Sequence, residues 1–184
     1  MIASEILKSK YFYGEIIDIN LQIDSNSSGL SSYLRKNQRK LQSSIAHKRL
    51  DSILQNKINN CIESSISHSG RYIFIGVSTS GKIGVDVEKI RYEKERVKLL
   101  STEERKLVAE KKTNFTTLWT LKEAIFKSQY PRNKELRELI ILSFTNNKVR
   151  VRFQNKFNFR WEEDCYYFTE SKEDYIFSVV VFDK

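Results

Sequence analysis

The sequence predicts an α+β chain, on three observations. Segments with a two-residue apolar rhythm come in adjacent runs, two helix-start signals sit together in the middle, and no regular strand–helix–strand alternation joins them. From Tyr11 to Ile23 apolar residues recur loosely at every second position, which reads as a strand. Ser25 to Ser32 is rich in Ser, Asn and Gly and reads as a loop. Between Leu34 and Leu54, Leu41, Ile45, Leu50, Ile53 and Leu54 fall near helical spacing among many basic residues, which predicts one or two basic amphipathic helices. Arg71–Val77 and Lys82–Ile90 are rich in β-formers, and the short Ser78-Thr79-Ser80-Gly81 link predicts that they pair as a β-hairpin. Ser101-Thr-Glu-Glu104 is a capping box that opens a helix. Asn114 caps a second, from Phe115 to Ser128, ending before Tyr130-Pro131. Lys148–Phe153, Cys165–Thr169 and Tyr175–Phe182 return to strand patterning.

With 184 residues, the chain is long enough for one large domain or two small ones. Thirty-two Lys and Arg against 23 Asp and Glu give a formal charge of +9, which predicts a polyanionic partner without choosing among nucleic acid, acidic membrane, phosphorylated ligand and acidic protein. Cys61 and Cys165 form no C-x-x-C pair and no disulfide framework, so they read as reduced thiols. Polar residues run through the first fifteen positions, unlike a signal peptide or membrane anchor, and the expected location is the cytoplasm.

Three segments carry chemistry. In Ile83-Gly84-Val85-Asp86-Val87-Glu88, alternation places Asp86 and Glu88 on one strand face with Cβ atoms roughly 6–7 Å apart. Two such carboxylates repel each other, and a hard divalent cation would resolve the conflict. Taken alone, a D-x-E pair also describes the polar face of a half-buried strand. In Leu118 to Lys127, Trp119, Glu123 and Lys127 share one helical stripe; a surface ion pair is the plain reading, but the Trp sets it beside buried surface. In Ser65-Ile66-Ser67-His68-Ser69-Gly70, hydroxyls, a histidine and a glycine can wrap an anion, though a loop with a local hydroxyl turn has the same composition. His47 and His68 are the only histidines, which excludes a multi-histidine metal site, and there is no G-x-S-x-G elbow for a serine hydrolase.

The order and spacing of these segments resemble the Sfp-type 4'-phosphopantetheinyl transferase family: S-H-S-G, then G-V-D-V-E about fifteen residues on, then W-x-x-K-E-A-x-x-K about thirty residues further. The resemblance runs from about Ser65 to Ser128. It implies two similar α/β halves related by a pseudo-two-fold, with a cleft between them. The boundary would fall near Ile90 to Val97, giving 1–92 and 93–184, with the D-x-E strand in the first half. It implies Mg²⁺ held by Asp86, Glu88 and Glu123 against the pyrophosphate of coenzyme A, with Glu123 also taking the proton of a carrier-protein serine. Lys127 would contact the pyrophosphate; Ser67 and His68, with Ser65, would hold the 3'-phosphate and ribose. Lys122 is grouped with the coenzyme-binding residues. Arg39 best matches the family's first-helix arginine, with Lys40 as competitor, and Lys57 is what remains of a Gly-Lys-Pro. The implied partners are coenzyme A and an acidic acyl or peptidyl carrier, with no nucleic acid, no membrane and a monomeric enzyme. Two other readings compete. A metal-dependent nuclease of the D…E-x-K type fits poorly, because Glu88 and Lys89 are adjacent and point to opposite faces. A basic module that only binds RNA or coenzyme A has no need for Glu123 and Lys127.

Overall fold

A computed structural model describes residues 2–8, 12–19, 31–56, 61, 63–90, 96–129, 135–154 and 160–183. Among the described residues, nine strands and three α-helices make an α+β fold. A four-stranded antiparallel sheet has the order β1-β2-β4-β3, from β1 (Ile2–Lys8), β2 (Tyr13–Ile19), β3 (Glu63–Ser69) and β4 (Tyr72–Ser78). A five-stranded antiparallel sheet has the order β5-β9-β8-β7-β6, from β5 (Gly81–Lys89), β6 (Leu139–Thr145), β7 (Lys148–Gln154), β8 (Arg160–Lys172) and β9 (Tyr175–Asp183).

Three apolar layers hold the elements together. Helix α1 (Ser31–Asn56) lays Ala46 and Ile53, with the half-buried Ile45, Leu50 and Leu54, on Tyr13, Ile17, Ile73, Ile75 and Val77 of the first sheet. These helix positions repeat at three- and four-residue intervals, so one stripe meets the sheet while basic residues face out. The sheets face each other through Ile16, Tyr72 and Phe74 on one side and Ile83, Val85, Val87, Phe177, Val179 and Val181 on the other. Helices α2 (Thr102–Ala109) and α3 (Phe115–Lys127) cover the far face of the second sheet through Leu107, Leu118, Leu121, Ala124 and Ile125. The capping box on α2 forms as the sequence predicts, and Asn114 Oδ1 accepts from Thr117 N at 2.9 Å to start α3.

The expected hairpin does not form. Strands β4 and β5 exist, but β4 pairs with β2 and β3, while among the described residues β5 pairs with β9 alone. Both edges of β4 are taken, so the chain passes from one sheet to the other at Ser78–Gly81, and the D-x-E strand lies in the same sheet as the C-terminal strands. Ser65–Ser69, expected as a loop, is part of β3. Among the described residues no helix is long and apolar enough to cross a membrane. Cys61 and Cys165 are not joined in a disulfide.

Candidate active site

The site lies where β3, β5 and α3 meet. Strand alternation turns Asp86 of β5 toward α3, and Gly84 on the same face lets the helix approach: a Cβ there would sit 1.8 Å from the Ala124 carbonyl oxygen. That contact sets Lys127, in the last turn of α3, beside Asp86. Lys127 Nζ donates to Asp86 Oδ1 at 2.6 Å and to Ser67 Oγ at 2.9 Å, and Ser67 Oγ donates to Asp86 Oδ1 at 2.8 Å. Asp86 is 3% exposed, and its Oδ2 is buried with no hydrogen-bond partner. Burial raises the Asp86 carboxyl above its ordinary range, against the pull of Lys127 and Ser67. Glu123, one helical turn before Lys127 and half-buried, is also raised, first by burial and then by the charge of Asp86, with a further push from Glu88. Lys127 partly offsets that rise. Trp119, next along the stripe, stacks on Phe115 with ring centroids 6.0 Å apart.

The β3 alternation splits the serine–histidine segment. Ser65 and Ser67 turn toward β5 and are buried, while His68 is exposed. His68 pairs in register with Ile73, which belongs to the core under α1, so it emerges on the α1 side. Partial desolvation lowers the His68 pKa most, and the nearby charges of Lys127 and Arg39 lower it further. Arg39 lies on α1, which packs against β3. Gln38 and Gln42 of α1 both donate to the Gly70 carbonyl at 2.8 Å, fastening the helix over this end of β3.

A family model described as the 4'-phosphopantetheinyl transferase superfamily matches residues 82–180, more than half of the 184-residue chain. The chain belongs to this superfamily. A protein of Synechocystis sp., itself described as a putative 4'-phosphopantetheinyl transferase, is 40% identical over 73 residues. That stretch is 35% of this chain and 30% of the relative, so the match spans less than a third of the relative's length.

Superfamily membership directs attention to a divalent metal. Among the described residues, no three His, Cys, Asp or Glu side chains are gathered closely enough to hold one as they stand. The donor chemistry nevertheless fits a hard cation: Asp86 brings a buried carboxylate oxygen with no partner, and the charges of Asp86 and Glu88 both push on Glu123. Lys127 supplies positive charge at Asp86.

Lys122 is placed elsewhere. It is a neighbour of Glu123 in sequence but points into the interior, 5% exposed, where its Nζ lies 2.9 Å from Glu104 Oε1. Glu104, fully buried, also accepts from Ser101 N at 2.8 Å and from Ile141 N at 3.1 Å. These three contacts tie α2, α3 and β6 together and commit Lys122 to the interior ion pair. The S-x-x-E signal announces Glu104 as a cap but gives no hint of this second task. Arg39 is exposed on α1 as expected, with Lys40 beside it, and Lys57 lies outside the described residues.

Proposed function

We propose that the chain transfers the 4'-phosphopantetheine arm of coenzyme A to a serine of an apo acyl or peptidyl carrier protein, with Mg²⁺ and as a monomer. One observation carries this reading: the K-E-A-x-x-K helix lies on the D-x-E strand with Lys127 bonded to Asp86 and Glu123 one turn away. The two sheets, each with its own helices, would be the two halves, dividing at Ser78–Gly81 instead of after residue 92.

The carrier serine oxygen attacks the pantetheine-side phosphorus of the pyrophosphate. The bond to the bridging oxygen breaks, and adenosine 3',5'-bisphosphate leaves with the electron pair. Glu123 accepts the serine proton, directly or through water; its raised pKa makes it a better base than an ordinary carboxylate. Lys127 binds the pyrophosphate and offsets charge on the leaving phosphate. His68, Arg39 and Lys57 receive the 3'-phosphate. Asp86, Glu88 and Glu123 would hold the metal, which when bound neutralises and orients the phosphate oxygens.

The test mixes the protein with coenzyme A, Mg²⁺ and a panel of apo carriers, and reads intact mass. A gain of one phosphopantetheine on a carrier is expected. Asp86→Asn should lower the rate by about 100-fold or more, the scale of losing a preorganised electrostatic group. No mass gain on any carrier, or full activity in Asp86→Asn, would overturn the proposal.

A further inference from the structure

Leu118, Leu121, Ala124 and Ile125 of α3 pack with Val180 and Phe182 of β9 in one apolar layer. Beside them stand two hydroxyls. Thr120 of α3 and Ser178 of β9 are both fully buried, with their Oγ atoms 2.7 Å apart. A hydroxyl has one hydrogen to give. Thr120 Oγ1 lies 3.0 Å from the Thr116 carbonyl oxygen and 3.1 Å from that of Thr117, which can only accept. Thr120 Oγ1 is the partner of Ser178 Oγ among the described residues. Were Thr120 the donor between them, the Ser178 hydrogen would sit in the interior without an acceptor. With Ser178 as donor both hydrogens are used: Ser178 donates to Thr120, and Thr120 donates back to its own helix.

The place of this bond gives it a consequence for the site. Ser178 is the register partner of Asp86, and residues so paired stand side by side on one sheet face. On α3, Thr120, Ala124 and Lys127 follow at i, i+4 and i+7 and share one stripe. That stripe crosses from β9 onto β5 with Thr120 on Ser178, Ala124 against Gly84 and Lys127 on Asp86. Gly84 governs how close the helix comes. Lys127 has a long flexible stem that can follow a shifted helix. The Thr120–Ser178 bond is short, and a slide or small rotation of α3 breaks it and strands a buried hydroxyl. The apolar layer is non-directional and tolerates such a shift. Two apolar groups of the same shape would fill the space about as well, so the hydroxyls contribute direction more than stability.

We propose that Thr120 and Ser178 are positioning residues whose buried hydrogen bond fixes where α3 sits on β9 and β5, and so where Glu123 and Lys127 stand against Asp86. This deepens the transferase reading and, where catalysis is concerned, rests on it.

Three variants separate position from stability: Thr120→Val, which keeps the shape without the hydroxyl, Thr120→Val/Ser178→Ala, and Thr120→Ser. In urea denaturation Thr120→Val should raise the unfolding constant by about tenfold or more, the scale of one stranded buried hydroxyl. The double variant should return to within about threefold of wild type, since no hydroxyl is left unpaired. Position is read by NMR on the protein without nucleotide, from the nuclear Overhauser contact between Gly84 Hα and the Ser128 amide, groups that the close approach of α3 brings together. The contact should weaken in the double variant and persist in Thr120→Ser. Transfer to an apo carrier should lose about tenfold or more in kcat in the double variant despite its recovered stability, because a misplacement of about 1 Å is costly. Thr120→Ser should keep kcat within about threefold of wild type. Should Thr120→Val not fold, the double variant and Thr120→Ser carry the measurements of position and rate. An unchanged Gly84 contact in the double variant overturns the positioning, and an altered contact with wild-type kcat overturns its link to Glu123 and Lys127. A double variant as unstable as Thr120→Val overturns the hydroxyl bond. A wild-type protein that modifies no carrier would sink the transferase reading itself, while the Gly84 contact would still decide what seats α3.

Discussion

Asp86 and Glu123 are carboxyls that the fold makes hard to ionise. Both are raised first by burial, and Glu123 also by the negative charge of Asp86 and Glu88. The linkage has a definite sign. A carboxyl raised in the folded state contributes stability that is fully present below its unfolded value, 3.8 for Asp and 4.5 for Glu, and lost as pH rises through the folded value. The metal-free protein therefore loses stability from this pair as pH climbs out of the ordinary carboxylate range. A divalent cation held by the ionised pair would compete with protons there. The thermal shift produced by millimolar Mg²⁺ should be near zero at about pH 4.5 and grow through neutrality, and Asp86→Asn should flatten it. A shift of equal size at both ends of that range would count against Asp86 and Glu123 as ligands. The members of this site are legible in the sequence because D-x-E and the Trp119–Glu123–Lys127 stripe are local spacings. The junction of Ser67, Asp86 and Lys127 is not legible, since it closes over separations of 60 and 41 residues.

One buried ion pair governs how α3 is held. Removing one partner leaves the other charged and desolvated, whereas replacing both with apolar groups removes the penalty. Lys122→Met or Glu104→Gln should each cost about 3–5 kcal/mol of stability. Lys122→Met/Glu104→Leu should recover part of that in urea denaturation, with Ser101 N and Ile141 N still short of an acceptor. Single variants as stable as wild type would show that the pair holds nothing. The elements themselves follow local signals unevenly. The caps Ser101 and Asn114 fix the starts of α2 and α3 because capping needs only residues three apart. The β4–β5 hairpin is misread because a short Ser/Gly link describes a turn and says nothing of which edges are already taken. Strand β3 is misread as a loop because its inward positions are serines, whose partners are N–H groups of β5 instead of apolar side chains. Strand β6 has no counterpart in the sequence reading; its Leu139 and Ile141 bury against α2 and α3, while Ile140 and Ser143 do not repeat a clean alternation.

At the scale of the whole molecule, the charge of +9 is legible in the composition, but its distribution is not. The basic stretch on α1 looks uniform in sequence. The structure withdraws Arg49 from it: that guanidinium is bonded to Glu15, a buried carboxylate on β2, at 2.9 Å. The bond anchors α1 to the first sheet and neutralises both groups. Lys36, Arg39, Lys40 and Lys48 remain exposed on the same helix, and Arg39 is within electrostatic range of His68. If Arg39 serves the coenzyme, the three lysines are left to steer an acidic carrier. Steering by exposed charges raises the association rate more than it deepens affinity. Such charges are screened beyond about 8 Å at physiological salt. Raising salt should therefore raise the Michaelis constant for the carrier severalfold with little change in maximal rate, because the reacting groups are buried and screened less. Lys36→Ala/Lys40→Ala/Lys48→Ala should reproduce the high-salt constant at low salt and respond little to further salt. Arg49→Ala should behave differently, lowering stability through the stranded Glu15 while leaving the salt response intact. A carrier Michaelis constant that stays flat from low to high salt would assign these lysines to solubility alone.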